Sequence, residues 1–371
     1  MRSRFDPRRL GMALAAPVLA ILVAVIVTSV ILAVAGDPVG QVWSTVLSAP
    51  RPRILVSIIN ASIVYYISAV AVAIGFKMNL FNIGVDGQYR VAAFAAAAVA
   101  GEGWLPGPLN IIVALLVAMV TGGLWAGIAG VLKVYRGVSE VISTIMLNAI
   151  ATVLVAFLLR KVALRVEGSN VTSTKPLPDD SRVPGMALIP GVSREVYGLL
   201  FLAVIVGVLY WFILGKTRFG FDLRATGHSE TAAVASGVKV KRMVLSSMIL
   251  SGAVAGLVGM PLLFGQDHSY GDTFQPGLGF AGIAIALLGR NHPVGIIFAS
   301  LLWSFLEQQS NSLQITAGVS DRLVLIIQGV IVLSVVIAYE VIRRLNLRIE
   351  QRRVAQALAE QAATTKEGAP A

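Results

Sequence analysis

The chain has 371 residues, 56% of them hydrophobic and only 13% charged, with a mean hydropathy of +0.81 and a net charge of +11. A soluble globular protein carries about 25% charged residues, so this composition excludes a water-soluble domain and points to a chain that crosses the bilayer several times. The absence of cysteine excludes disulfides, thiolate metal sites and a cysteine nucleophile. The basic residues flank apolar runs instead of forming one stripe, which argues against nucleic-acid binding.

The N-terminus, MRSRFDPRRL, precedes 27 uncharged residues, Leu10–Gly36. A secretory signal has an apolar stretch of only about 7–15 residues, whereas a span needs about 20, so the reading is an uncleaved first helix. Further uncharged or nearly uncharged runs follow at Ile54–Phe76, Phe81–Gly101, Leu109–Leu132, Val141–Leu159, Val196–Gly215, Met243–Phe264, Gly277–Gly289, Val294–Leu306 and Leu323–Val341. The pattern predicts an all-α polytopic bundle of about ten transmembrane helices, with residues 10–342 forming the membrane domain. Gly277–Gly289, at 13 residues, is expected to be a short or broken crossing.

Arg2, Arg4, Arg8 and Arg9 at one end, and Arg343, Arg344, Arg348, Arg352 and Arg353 at the other, predict both termini on the cytoplasmic side. An even number of crossings, such as ten, satisfies this. Residues 1–9 and 343–371 are then cytoplasmic, the tail being a short helix that ends in TTKEGAPA. The segment 160–195 becomes a long outer loop with four prolines, placed to cap a pore or meet a partner; Arg160, Lys161 and Arg165 are out of place there. The segment 216–242 becomes a cytoplasmic island between two long apolar runs.

Three polar stretches carry candidate function. In NLFNIGVDGQYR, Asn82, Asp86 and Gln88 stand at a helix start among Gly84 and Gly87. Ionisable groups inside a membrane cost about 2.5–3.5 kcal/mol on insertion scales and mark function by default. Asp86 and Arg90, four apart, share a helix face and can pair. The alternative is a plain helix start capped by Asn82. In SEVISTIMLN, Ser139 and Glu140 suit a cap, while Ser143, Thr144 and Asn148 fall near one face, lining a polar route or bonding a neighbouring helix. In RATGHSETAAVASGVKVKR, Thr226 or Ser229 is a cap for a short helix from Glu230 to Ala235, bracketed by Gly227 and Gly237 as breakers. Such a helix suits docking into a groove of another protein. Gly123 with Gly127, and Gly252 with Gly256, are small-residue pairs for tight helix contact.

Other patterns carry nothing. GLGFAG at Gly277 lacks the strand and the acid that dinucleotide binding requires. Gly215-Lys216-Thr217 has Tyr210 where a phosphate loop needs glycine, so the chain lacks an ATP site of its own. His228, His268 and His292 lie in three separate loops, and no cluster suggests a metal, a cofactor or an enzyme.

FNIGVDGQ, SEVISTIMLN, RATGHSETAAVASGVKVKR followed by SGAVAGLVG, and GFAGIAIALLGRNHPVG occur in this order. The ordered set, over Ile54 to Tyr339, resembles the membrane permease subunit of bacterial ABC importers for simple sugars, nucleosides and branched-chain amino acids. It is most similar to the nucleoside branch, whose lipoprotein receptors are called basic membrane proteins. The resemblance implies a permease of the cytoplasmic membrane, working by alternating access. A separate ATPase would dock beneath it and a periplasmic or lipid-anchored substrate-binding protein would deliver substrate. It also implies a second, different permease, this chain being the longer of the pair. By resemblance, Arg224, Gly227, Glu230, Ala233 and Gly237 belong to the segment that couples to the ATPase. The family usually has Glu at the position of Asp86 and an apolar residue at that of Arg90. Rival readings are a sugar or branched-chain amino acid permease of the same family, or an ion-coupled secondary transporter. The latter would require inverted repeats and a buried mid-membrane acid.

Overall fold

The computed structural model describes residues 7–165, 172–271 and 274–367. Arg2, Arg4, Glu167 and the last four residues lie outside them. The chain is almost wholly helical. Its helices are α1 (Pro7–Ala35), α2 (Val39–Val46), α3 (Pro52–Phe76), α4 (Val85–Gly101), α5 (Gly107–Arg136), α6 (Glu140–Val162), α7 (Leu200–Lys216), α8 (Arg218–His228), α9 (Glu230–Ala235), α10 (Val240–Gly256), α11 (Met260–Leu262), α12 (Leu278–Leu288), α13 (Pro293–Ala317) and α14 (Asp321–Glu367).

Each of the ten apolar runs coincides with a helix. Among the described residues, five stretches are long and apolar enough to cross a membrane by themselves, with α7 and α8 making a sixth as a pair bent by 71°. Three of the remaining runs, those of α4, α12 and α13, fall short for visible reasons. α4 begins only at Val85, because Phe81–Gly84 is a turn. α12 has 11 residues, about 17 Å at 1.5 Å per residue, against a hydrocarbon core of about 30 Å. The second half of α13 is polar from Glu307 onward.

The chain divides into two units. One draws on Met1–Val46 and Ser312–Ala371. Within it, α1 packs along α14, and the Trp43 indole donates to Ser29 Oγ at 2.9 Å. The tail is no separate short helix: α14 runs 47 residues without a break. It contains no proline, and beyond Val341 it is rich in Arg, Gln, Ala, Leu and Glu, all strong helix formers. At about 70 Å it far exceeds a bilayer core.

The other unit, Leu47–Asn311, is built on α3, which is buried over most of its length, with α4, α5, α7, α10 and α12 against it or its neighbours. The tightest pair is α5 with α10. A Cβ at Gly252 would collide with the Gly122 carbonyl and the Ala126 methyl, and one at Gly256 with the Ala118 carbonyl. The contact face on α5 is therefore Ala118–Gly122–Ala126. The expected pair Gly123 and Gly127 sits one position off it, and a Cβ at Gly127 meets only Ile249 at an ordinary 3.5 Å. Gly252→Val is thus expected to lower thermal stability in detergent by about 1–3 kcal/mol through overpacking. Gly127→Ala is expected to leave it unchanged or slightly higher, because alanine is the better helix former. Equal melting of the two variants would contradict this packing.

The described part of segment 160–195 packs against the connection after α11. Two-residue strands β1 (Leu164–Arg165) and β2 (Thr172–Ser173) pair antiparallel. Thr174 N donates to Tyr270 O, Leu177 N to His268 O and Val183 N to Phe264 O, at 2.8–3.1 Å. Burial, together with the nearby Arg182 charge, lowers the affinity of His268 for a proton. Arg160 and Lys161 now have a reason: they occupy the last turn of α6, where cations complement the helix dipole.

Candidate functional site

Helix α4 starts inside the protein. The chain leaves α3 through Lys77 and Asn79, the latter left-handed at φ 57°, and Leu80 N returns to Gly75 O at 3.0 Å. A buried helix start leaves backbone donors that must find partners, and the polar residues of this stretch supply them. Asn82 Oδ1 accepts from Gly84 N at 3.0 Å and from Gln88 Nε2 at 2.9 Å. Asn82 Nδ2 donates to Gln88 Oε1 at 3.0 Å and Ser251 Oγ at 2.8 Å, and Ser251 Oγ donates to Ala71 O. Two donors and two acceptor sites exhaust the asparagine amide. Asn148, from α6, accepts from Gly87 N at 2.8 Å and donates to Ile83 O at 2.9 Å. Gly87 must be glycine, since a Cβ would lie 2.8 Å from Asn148 Oδ1. The sequence reading treated these as separate polar clusters; the fold joins them in one knot.

Asp86 and Arg90 pair at 3.1 Å, with side chains 7% and 20% exposed. The second role of Asp86 is invisible in the sequence. Its Oδ1 accepts from Gly277 N at 2.9 Å and Gly279 N at 3.4 Å, so it holds the N-terminus of α12 from 191 residues away. Gly277 stands there at φ +85°. Ser143 is buried beside the knot, its hydroxyl without a hydrogen bond among the described residues. Ser139 makes no cap bond; Glu140 instead takes Lys133 Nζ at 2.6 Å and Phe81 N at 3.5 Å.

At the end of α3 where the chain enters this knot lie α8 and α9. Thr217 starts α8, accepting from Gly220 N at 3.2 Å. Ser229 caps α9, accepting from Ala232 N at 3.3 Å. α9 ends with Val238 N on Ala233 O, Gly237 N on Val234 O and Gly237 at φ +83°, a Schellman-type stop. Gly227 does not break a helix. It lies inside α8, where a Cβ would come within 2.8 Å of Lys77 O and Met78 Cα, and its carbonyl accepts from Asn79 Nδ2 at 3.0 Å. Burial, then repulsion from Arg224 and Arg290, lowers the Lys77 pKa below 10.5. Ala233 is buried toward α8, while Glu230 and Val234, one turn apart, are exposed. A cleft of about 280 Å³ lies between α8 and α9, lined by Arg218, Phe221, Asp222, Ala225, Ala232 and Val238.

Sequence reasoning missed a group at the middle of α3. The Tyr65 hydroxyl donates to Glu307 Oε1 at 2.8 Å, and Gln275 Nε2 lies 3.5 Å from the same hydroxyl. Glu307 directly follows the apolar run Val294–Leu306, so it read as the edge of a span; α13 continues to Ala317, and the acid is in its middle.

Comparison with known proteins fits this architecture. A family model described as branched-chain amino acid transport system / permease component matches residues 54–336. The guanosine ABC transporter permease protein NupP of Bacillus subtilis is 36% identical, over 75% of this chain and 79% of its own. The glucose ABC transporter permease protein TsgB13 of Haloferax volcanii is 32% identical over 90% of both chains. The nucleoside ABC transporter permease protein NupB of Lactococcus lactis is 30% identical, over 74% of this chain and 76% of its own. With a family match across most of its length and relatives at this identity, the chain belongs to the branched-chain amino acid transport system permease family and is a multi-pass membrane permease of an ABC importer.

Proposed function

We propose that the chain is the nucleoside-translocating permease subunit of an importer driven by a separate ATPase, and that it performs no chemistry itself. The observation that carries the coupling is the α9 face. A helix of six residues, stopped at both ends, offers Glu230 and Val234 outward while resting through α8 on the Lys77–Asn79 turn. Displacement of α9 by a docked ATPase reaches the buried start of α4 through Gly227 and Asn79. Arg224, Gly227, Glu230, Ala233 and Gly237 are the coupling residues. Asn82, Asp86, Gln88 and Asn148 hold the starts of α4 and α12 beside the translocation path, and Ser143 lines it next to them.

The substrate follows from two relatives named for guanosine and nucleoside transport. A lipid-anchored or periplasmic binding protein delivers it on the side of segment 160–195, in the cytoplasmic membrane. A second permease completes the pair. Residues 1–9 and 343–371 are cytoplasmic, as is segment 216–242. The glucose relative, matched over 90% of both chains, supports a sugar as the second reading.

Reconstitution into liposomes tests this. Uptake of labelled guanosine is expected only with the ATPase, its ATP and a loaded binding protein. Uptake by the chain alone, driven by a proton or sodium gradient, would return it to the secondary transporters. Uptake of glucose with none of guanosine would keep the importer and change its cargo.

A further inference from the structure

A cavity of about 650 Å³ between α3, α7 and α13 in the second unit is lined mainly by Ile, Leu and Val. Its hydroxyls at Ser62 and Ser300 are bonded back to Ile59 O and Ile297 O of their own helices. It offers little to a polar substrate. A smaller cavity does. It measures about 150 Å³ and is lined by Tyr65, Tyr197, Gln266, Gln275, Gln308 and Arg194 among others. It lies toward the Pro52 end of α3, opposite the α8–α9 surface.

The polar groups around it divide into fixed and open. Asn60 is fixed: its Nδ2 donates to Glu195 O and its Oδ1 accepts from Tyr197 N, both at 2.9 Å. Arg194 is bonded to Ser57 Oγ at 2.7 Å, and the Tyr197 hydroxyl to Gln266 Oε1 at 2.7 Å. Tyr65 is held by Glu307. The backbone of Gln275 is held by the Tyr89 hydroxyl. The Gln308 amide makes no hydrogen bond among the described residues, and Gln275 Oε1 is likewise open. The Gln308 amide and the Gln275 side-chain carbonyl thus remain open at a cavity walled by two tyrosines.

We propose that this cavity is the substrate-recognition site of the permease, and that it takes the base of a nucleoside. A glutamine amide presents a donor and an acceptor side by side, the geometry that reads the edge of a nucleobase. Aromatic side chains supply faces on which a base stacks. The cavity is smaller than the about 300–1,000 Å³ of ordinary ligand pockets, so it holds the base and leaves the ribose in its mouth. Glu307 positions Tyr65 and stays out of contact with substrate. The proposal rests on the nucleoside reading above.

The test uses the complete importer in liposomes, with guanosine-loaded binding protein in excess and two readouts, guanosine uptake and ATP hydrolysis. Gln308→Ala and Gln275→Leu are each expected to lower uptake about tenfold, the size of one well-placed hydrogen bond. ATP hydrolysis stimulated by the loaded binding protein is expected to persist, because the α9 surface is untouched. Unchanged uptake in both variants, or uptake and hydrolysis falling together as for a folding defect, overturns the site. A wild-type importer that hydrolyses ATP and imports glucose but no guanosine overturns the nucleoside reading as well, and that arm separates the two failures.

Discussion

Glu230→Arg is expected to abolish ATP-driven uptake while leaving the protein in the membrane at its normal level. Glu230 is exposed at the first turn of α9 and makes no salt bridge among the described residues. A surface change of this kind costs the fold within about 0.5 kcal/mol. At an interface the balance differs. A reversed charge set against its former partner costs several kcal/mol, and each 1.4 kcal/mol is about a factor of ten in affinity. Loss of binding to the ATPase by about a hundredfold or more therefore accompanies an intact bundle. Gly237→Pro reaches the same end through the backbone, since proline is fixed near φ −65° and the site stands at +83°. Ser229→Ala, removing one cap, is expected to cost only about 1 kcal/mol and leave most uptake. Co-purification of the ATPase and uptake, measured together, check all three; normal uptake by Glu230→Arg at normal expression refutes the α9 contact.

The second large effect falls on stability. Asp86→Ala removes the partner of Arg90 and the acceptor of Gly277 N and Gly279 N in one step. Breaking a buried pair from one side costs about 3–5 kcal/mol, because the remaining charge is buried uncompensated. Asp86→Asn, which keeps an oxygen for Gly277 N, is expected to lose less. The double variant Asp86→Ala with Arg90→Leu is expected to recover part of the loss, since no orphan charge remains. Melting in detergent, read by size-exclusion chromatography, ranks the four proteins. A single Asp86→Ala variant that melts with the wild type would mean that the carboxylate holds neither partner.

Local features were legible in the sequence and distant ones were not. Ser229 as cap, Glu230–Ala235 as helix and Gly237 as stop all follow from chemistry within a few residues, and the fold has them in those positions. So does the Asp86–Arg90 pair, which depends only on helical spacing. Gly227 was misread because its reason lies in the Lys77 carbonyl, 150 positions earlier. Gly122 was passed over for Gly123 because helical periodicity alone does not say which face of α5 meets α10. Asn82 and Gln88 bond each other across only six positions, whereas the bonds of Asn148 to Ile83 and Gly87, and of Asn82 to Ser251, are long-range and could not be read from spacing. Glu307 was hidden by a count of uncharged residues that ended one position before it. α8 was missed because its amphipathic pattern sits in a segment read as a loop.

The region from Val240 to Asp267 forms one span of 28 residues, and four residues join it to α9. One end therefore lies beside the surface proposed to meet the ATPase, and the other carries Gln266 at the wall of the small cavity. Midway along the span, at Gly252 and Gly256, it meets the α5 backbone at Gly122 and Ala118 with nothing larger than the Ala126 methyl between. Past that contact, its regular α-helix is interrupted at Leu257–Gly259 and by the π turn at Leu263–Asp267. The arrangement is that of a shaft clamped in a bearing, with its irregular turns at the far end. A displacement of α9 would then arrive undamped along the clamped length and appear as a change of angle where Gln266 and Tyr197 meet.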